Sequence, residues 1–227
     1  MKSLPERIAD QLRREILRGT FLPGAPIKER EHTATMGVSR TPMREALRIL
    51  ANEGLLTLRP ARSPIVANPD LQEVTDALEV LMALEVAAAE LACHRASSDE
   101  LAEIDYLNKR MVELADRIDN LDLFDIDMGF HKAVVRAAHN EALAKSHESF
   151  TKRMWRIRYL SASRADRRED TFAEHQGISN GLLIRDTKLA KHFVRLHFAS
   201  LLANIREKFL GPGARPQALN PRITLGV

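Results

Sequence analysis

At 227 residues with 44% apolar side chains, the chain has material for one large core or two modest ones. No apolar run approaches the length of a bilayer span and the first residues form no apolar signal segment, so membrane insertion and secretion are not expected. The single cysteine, Cys93, excludes an intrachain disulfide framework and fits a reducing cytoplasm. The net charge of +3 is unevenly placed: residues 1–67 hold 12 Lys and Arg against 7 Asp and Glu, residues 68–227 hold 22 against 24. A basic head on a mildly acidic body points to a polyanion at the head.

The head opens on Ser3-Leu4-Pro5-Glu6, a capping-box spacing with proline in the first turn. Ile8, Leu12 and Ile16 follow at helical spacing until Gly19. Phe21–Pro26 is a turn-rich connector, and a second short helix is predicted over Glu29–Met36, broken by Gly37. The third helix, Ser39 to Glu53, decides the reading of the head. Ser39 is a fitting N-cap, Pro42 suits the first turn, and Arg40, Thr41 and Arg44 crowd the N-terminal turns while Ala46, Leu47 and Leu50 form an apolar back. A donor-rich start and an apolar back are what a helix in a DNA groove requires. Leu55–Arg59 and Pro64–Ala67 then read as two strands around Pro60-Ala61-Arg62-Ser63. Three helices and a hairpin make a winged helix-turn-helix, whose wing arginines, Arg59 and Arg62, would lie against the DNA backbone or minor groove.

The segments Arg30, Val38–Leu47 and Leu50–Leu56 resemble the GntR family of bacterial transcription regulators. The resemblance implies that Arg30, Ser39, Arg40, Thr41, Arg44 and Arg62 contact double-stranded operator DNA, with Arg44 on a guanine edge. His32-Thr33 stands where the family has Leu-Ala, and Ser63 replaces a wing glycine.

Asn68-Pro69-Asp70 opens a linker over residues 68–73, and residues 74–210 read as all-helical. Val74, Leu78, Leu81, Leu84, Ala88 and Leu91 form one stripe; Ser97 caps a second helix whose apolar side runs from Leu101 to Ile118. Further helices are expected near 121–138, 141–160, 170–185 and 187–210, with Gly177 and Gly181 each weakening the fifth by about 1 kcal/mol relative to alanine. The Pro- and Gly-rich tail, 211–227, is expected to be poorly ordered. The fold class is therefore mainly α: a winged helix-turn-helix at 1–67 followed by a six-helix antiparallel bundle.

Asp127 and His131 are four apart on one helix and so share a face; His175 and His197 fall on two others. One carboxylate and three imidazoles form a donor set for a divalent ion, zinc first, nickel or manganese as alternatives. Taken singly, each histidine is more readily a surface or hydrogen-bonded core residue, the reading kept for His32, His94, His139, His147 and His192. The contexts Asp127-x-x-x-His131, Asn140 with Leu143, Glu174-His175-x-x-Ile178, Arg185-Asp186 and His197 resemble the FCD effector domain of one GntR branch. That resemblance implies a metal held by Asp127, His131, His175 and His197, and a small carboxylate effector on its open positions. The arginine that family members carry four residues before the first-helix glutamate, here Glu85, is replaced by Leu81. Arg153, Arg156 and Arg158 are the nearest cations to compensate, and Asn204, two turns beyond His197, shares its face. Function follows as a ligand-responsive, homodimeric, cytoplasmic regulator of transcription, a repressor or an activator, and not an enzyme. The alternatives are a metal-dependent hydrolase using the Asp and three His, and a metal that only braces the bundle.

Overall fold

The computed structural model describes residues 2–210. The head consists of α1 (Leu4–Leu17), α2 (Glu29–Met36), α3 (Arg40–Asn52) and an antiparallel hairpin, β1 (Leu56–Arg59) with β2 (Arg62–Val66). Ser3 and Glu6 close the capping box, and Gly37 and Gly54 end α2 and α3 at φ of +63° and +70°. That left-handed backbone is open to glycine without steric cost, which is why both boundaries fall on it. α2 buries no side chain completely, as the His32-Thr33 exchange implies; His32 instead sets its ring edge-on to Phe21 at 5.3 Å.

The hairpin departs from the expected four-residue turn. Arg62 belongs to β2 and pairs with Arg59, so Pro60 and Ala61 alone make the turn, and Ala61 takes the positive φ of 53°. Arg59 is consumed inside the wing: its Nε and Nη2 donate to the Ser63 carbonyl at 3.0 and 2.8 Å, leaving Arg62 as the exposed wing arginine.

The bundle comprises α4 (Leu71–Arg95), α5 (Ser98–Leu114), α6 (Asn120–Ala137), α7 (Glu141–Ala162), α8 (Arg168–Leu183) and α9 (Thr187–Leu210). α4 begins earlier than expected because Asp70 and Glu73 form a capping box, which shortens the linker. α5 stops at Leu114 rather than 118, since the chain must reverse before Asp119 caps α6. α4 is the central staff, packed on α6, α7 and α9, while α5 covers α6 and α8. Arg185, at φ +56°, donates to the carbonyls of Cys93 and Ala96 at 2.8 Å each and so closes the C-terminal end of α4. The expected tail, 211–227, lies outside the described residues.

Head and bundle share one apolar cluster. Leu12, Ile16 and Leu17 of the head continue into Leu121, Phe124 and Met128 of α6 and Tyr159 of α7. Arg18 reaches Asp119 at 2.6 Å, Arg14 reaches Asp122 at 3.1 Å, and Gly54 lies against the backbone of Arg153.

Candidate DNA-reading surface and metal centre

On the head, Met43, Ala46, Leu47 and Leu50 fix α3 in the core and turn its other side outward. Arg30, Ser39, Arg40, Thr41, Arg44 and Arg62 are all exposed, and none is covered by the bundle. Ser39 occupies the N-cap position, but its hydroxyl makes none of the expected capping bonds. Such a hydroxyl accepts from the second or third helical N–H, and the third residue here is Pro42, which has none. The hydroxyl stays free beside Arg40. Arg44 is held by Glu29 of α2, its Nε donating to the two carboxylate oxygens at 2.9 and 3.1 Å.

In the bundle, one ring nitrogen from each of His131, His175 and His197 lies within 4.8 Å of the others. α6, α8 and α9 deliver them, all buried, with ring centroids 4.6 to 5.0 Å apart. Asp127 Oδ1 stands 3.6 Å from His175 Nε2 and 3.9 Å from His131 Nε2. Two carboxylates assign the tautomers. His131 Nδ1 donates to Glu85 Oε2 at 2.7 Å and His197 Nδ1 donates to Glu174 Oε2 at 3.1 Å, because an ionised carboxylate only accepts. Each ring therefore carries its lone pair on Nε2, the arrangement in which outer carboxylates orient metal-binding imidazoles. His131 Nε2 and both nitrogens of His175 are buried without a hydrogen-bond partner. Burial pushes both rings to the neutral form, His175 furthest, because His197 and His131 add to the effect of desolvation.

A wider buried cluster surrounds these side chains. Glu85 accepts from His131 and, on its other oxygen, from His147 Nε2 at 2.9 Å. Arg158 Nη1 stands 3.6 Å from that second oxygen. Although burial opposes it, the two histidines hold the Glu85 carboxyl well below its ordinary range. Glu174, besides His197, accepts from Ser200. With histidines counted as uncharged, formal charges do not balance: three carboxylates, Glu85, Asp127 and Glu174, are buried with one guanidinium, Arg158.

Comparison with known proteins matches both halves. The model of bacterial regulatory proteins of the gntR family fits residues 4–66, and that of the FCD domain fits residues 76–200. The Nta operon transcriptional regulator of Aminobacter aminovorans is 33% identical over 169 residues, covering 67% of this chain and 80% of that one. The probable D-xylose utilization operon transcriptional repressor of Paenarthrobacter nicotinovorans is 29% identical over 216 residues, 95% of each chain. The chain belongs to the GntR family. Among solved structures, E. coli McbR/YncC shares the fold at a TM-score of 0.77 and 22% identity, over 92% of this chain and all of that one. This GntR protein is a DNA-binding transcriptional regulator and not an enzyme, so the hydrolase alternative falls. Among the described residues no helix is long and apolar enough to cross a membrane.

Within this GntR chain the structure redistributes the expected effector residues. Leu81, at the usual arginine position, is fully buried in the apolar core. Arg153 is exposed, against Gly54 of the head and over the Phe150 ring at 5.8 Å. Arg156 is half-buried near Lys208, and burial lowers its pKa. Asn204 lines a separate crevice of about 150 Å³ with Arg167, Asp170, Ser200 and Glu207. It does share the face of His197, but seven residues of helix put it about 10 Å further along the axis. Arg158 is the cation that turns inward. His147, Thr151, Met154 and Arg158 are spaced i, i+4, i+7, i+11 and all are buried, a stripe readable in the sequence had polar residues been admitted to it.

Proposed function

We propose that this protein represses transcription as a homodimer, each head reading one half of a near-palindromic operator with Arg40, Thr41 and Arg44 in the major groove. Arg30, Ser39 and Arg62 contact the flanking phosphates. The bundle holds one divalent ion, zinc by its nitrogen-rich donor set, with nickel or manganese as alternatives. His131, His175 and His197 through ring nitrogens and Asp127 through Oδ1 are its ligands. The bound ion supplies a Lewis-acidic position for the carboxylate of a small organic acid, the effector. Ligand binding favours one placement of the heads, and operator affinity changes reciprocally. The protein acts in the cytoplasm, where its operator lies.

The sensor half rests on one observation: buried imidazole nitrogens converge without partners, inside a cluster carrying two surplus formal negative charges. A buried donor or acceptor left unpaired costs about 1–3 kcal/mol, and a divalent cation removes that cost while balancing the charge. The repressor assignment draws on the names of relatives, among them the transcriptional repressor RspR of E. coli, 26% identical over 197 residues. The test is selection of random DNA on the full-length protein, followed by gel shifts of the selected fragment with metal-loaded and chelator-treated protein. A two-fold-symmetric site whose affinity responds to metal and to added carboxylates is expected. Failure to enrich any sequence would contradict the reading.

A further inference from the structure

We propose that Arg158 is the anchor for the effector's carboxylate, and that the site selects small monocarboxylates over dicarboxylates. This inference rests on the metal reading above. Arg158 is 2% exposed and among the largest fully buried side chains, yet its Nη1 has no hydrogen-bond partner among the described residues. Its nearest anion, Glu85, stands at 3.6 Å, too long for a hydrogen bond, and is already committed to His131 and His147. The guanidinium lies over the ring of Phe198, next in sequence to His197, at 5.9 Å. Its charge is felt by His131 and His175, helping to keep both rings neutral. It therefore faces the imidazole cluster from α7, while Leu81 of α4 is packed into apolar core.

A buried guanidinium with an unused N–H recognises a carboxylate, which can accept from it while giving its other oxygen to a metal. The number of cationic contacts then sets selectivity. One ligand carboxylate rests between the divalent ion and the unpartnered Nη1 of Arg158. A second carboxylate in the same enclosed place has no counter-charge, and burying it unpaired is costly.

The test uses full-length protein loaded with zinc and titrated with acetate, propionate and glycolate, then malonate and succinate, read by calorimetry and melting temperature. Arg158→Gln is expected to keep the wild-type metal content but bind the monocarboxylates at least about tenfold more weakly. Arg158→Lys, which keeps the buried charge and the fold readable if the glutamine variant unfolds, is expected to fall between them. Unchanged affinity in both variants overturns the anchor, as does the failure of every monocarboxylate to bind the wild type. Dicarboxylates binding as tightly as acetate overturn the selectivity. If the wild type takes up no metal, the metal reading fails by itself. The anchor is then decided on the metal-free protein, where loss of acetate binding in Arg158→Gln supports it and no change overturns it.

Discussion

Arg44 of the recognition helix is gripped by Glu29 of the preceding helix, Nε donating to both carboxylate oxygens and leaving the two Nη groups without a hydrogen-bond partner among the described residues. Those two groups are what a guanine edge requires, since its O6 and N7 accept side by side. Glu29 thereby fixes the plane of the guanidinium before DNA arrives. Arg44→Ala is expected to lower discrimination between operator and scrambled DNA by about 1–3 kcal/mol in competition gel shifts. Glu29→Gln is expected to lose part of that discrimination while leaving non-specific binding and its salt dependence near wild type, because no phosphate contact is removed.

Gly54 ends the recognition helix and is also where the head touches α7. A Cβ there would lie 2.6 Å from the Arg153 Cα, a backbone atom that cannot swing aside, and the position is at φ +70°. Gly54→Ala is expected to destabilise by about 1–3 kcal/mol, the strain of a left-handed alanine added to a steric push between head and bundle. Urea unfolding checks the magnitude. Limited proteolysis checks that the linker near Asn68 becomes easier to cut.

Asp119 joins the same two parts electrostatically. Its carboxylate accepts from the backbone N–H groups of Leu121 and Asp122 as the cap of α6, and from Arg18 of the head. These bonds, the backbone one from Asp122 foremost, lower its pKa. A depressed folded-state carboxylate adds stability that is complete above the unfolded value of about 3.9 and is lost as pH falls through the folded one. Asp119→Ala is therefore expected to cost about 1 kcal/mol at neutral pH, as loss of a cap does, and progressively less at acid pH. Melting curves of both proteins between pH 7 and pH 3 measure the convergence.

Gly177 and Gly181 invert the expectation drawn from helix propensity. A Cβ on Gly181 would lie 2.5 Å from the Ala190 backbone nitrogen, and one on Gly177 2.3 Å from the Phe193 ring. The glycines let α9 approach α8 closely, so alanine there is expected to destabilise rather than stabilise. Gly181→Ala should cost about 2–3 kcal/mol, lowering the melting temperature by about 4–12 °C.

These glycines mark where the sequence stops being legible. α2 is bounded to the residue and α3 to within one at each end, because their ends are chain-local: a cap, a proline, a glycine at positive φ. Ser39 holds the N-cap position without a side-chain bond because its usual donor sits at Pro42, and both facts are local too. Contacts between helices leave no such trace. Propensity sees Gly181 alone, whereas Ala190 gives it meaning; spacing finds His131, whereas Glu85, from a helix 46 residues earlier, sets its tautomer. Sequence alone places His147 among the lone histidines and names Arg158 beside Arg153 and Arg156 without telling which of the three turns inward. The two inward residues share a face of α7 from which Arg156 is rotated by about half a turn.

The most direct measurement is elemental analysis of the purified full-length protein beside a His175→Ala/His197→Ala double variant of verified fold. About one divalent ion per chain in the wild type and none in the double variant is expected, since both substitutions remove donors from the buried cluster. A wild type that takes up no ion, or a double variant that keeps its full complement, would contradict the metal centre.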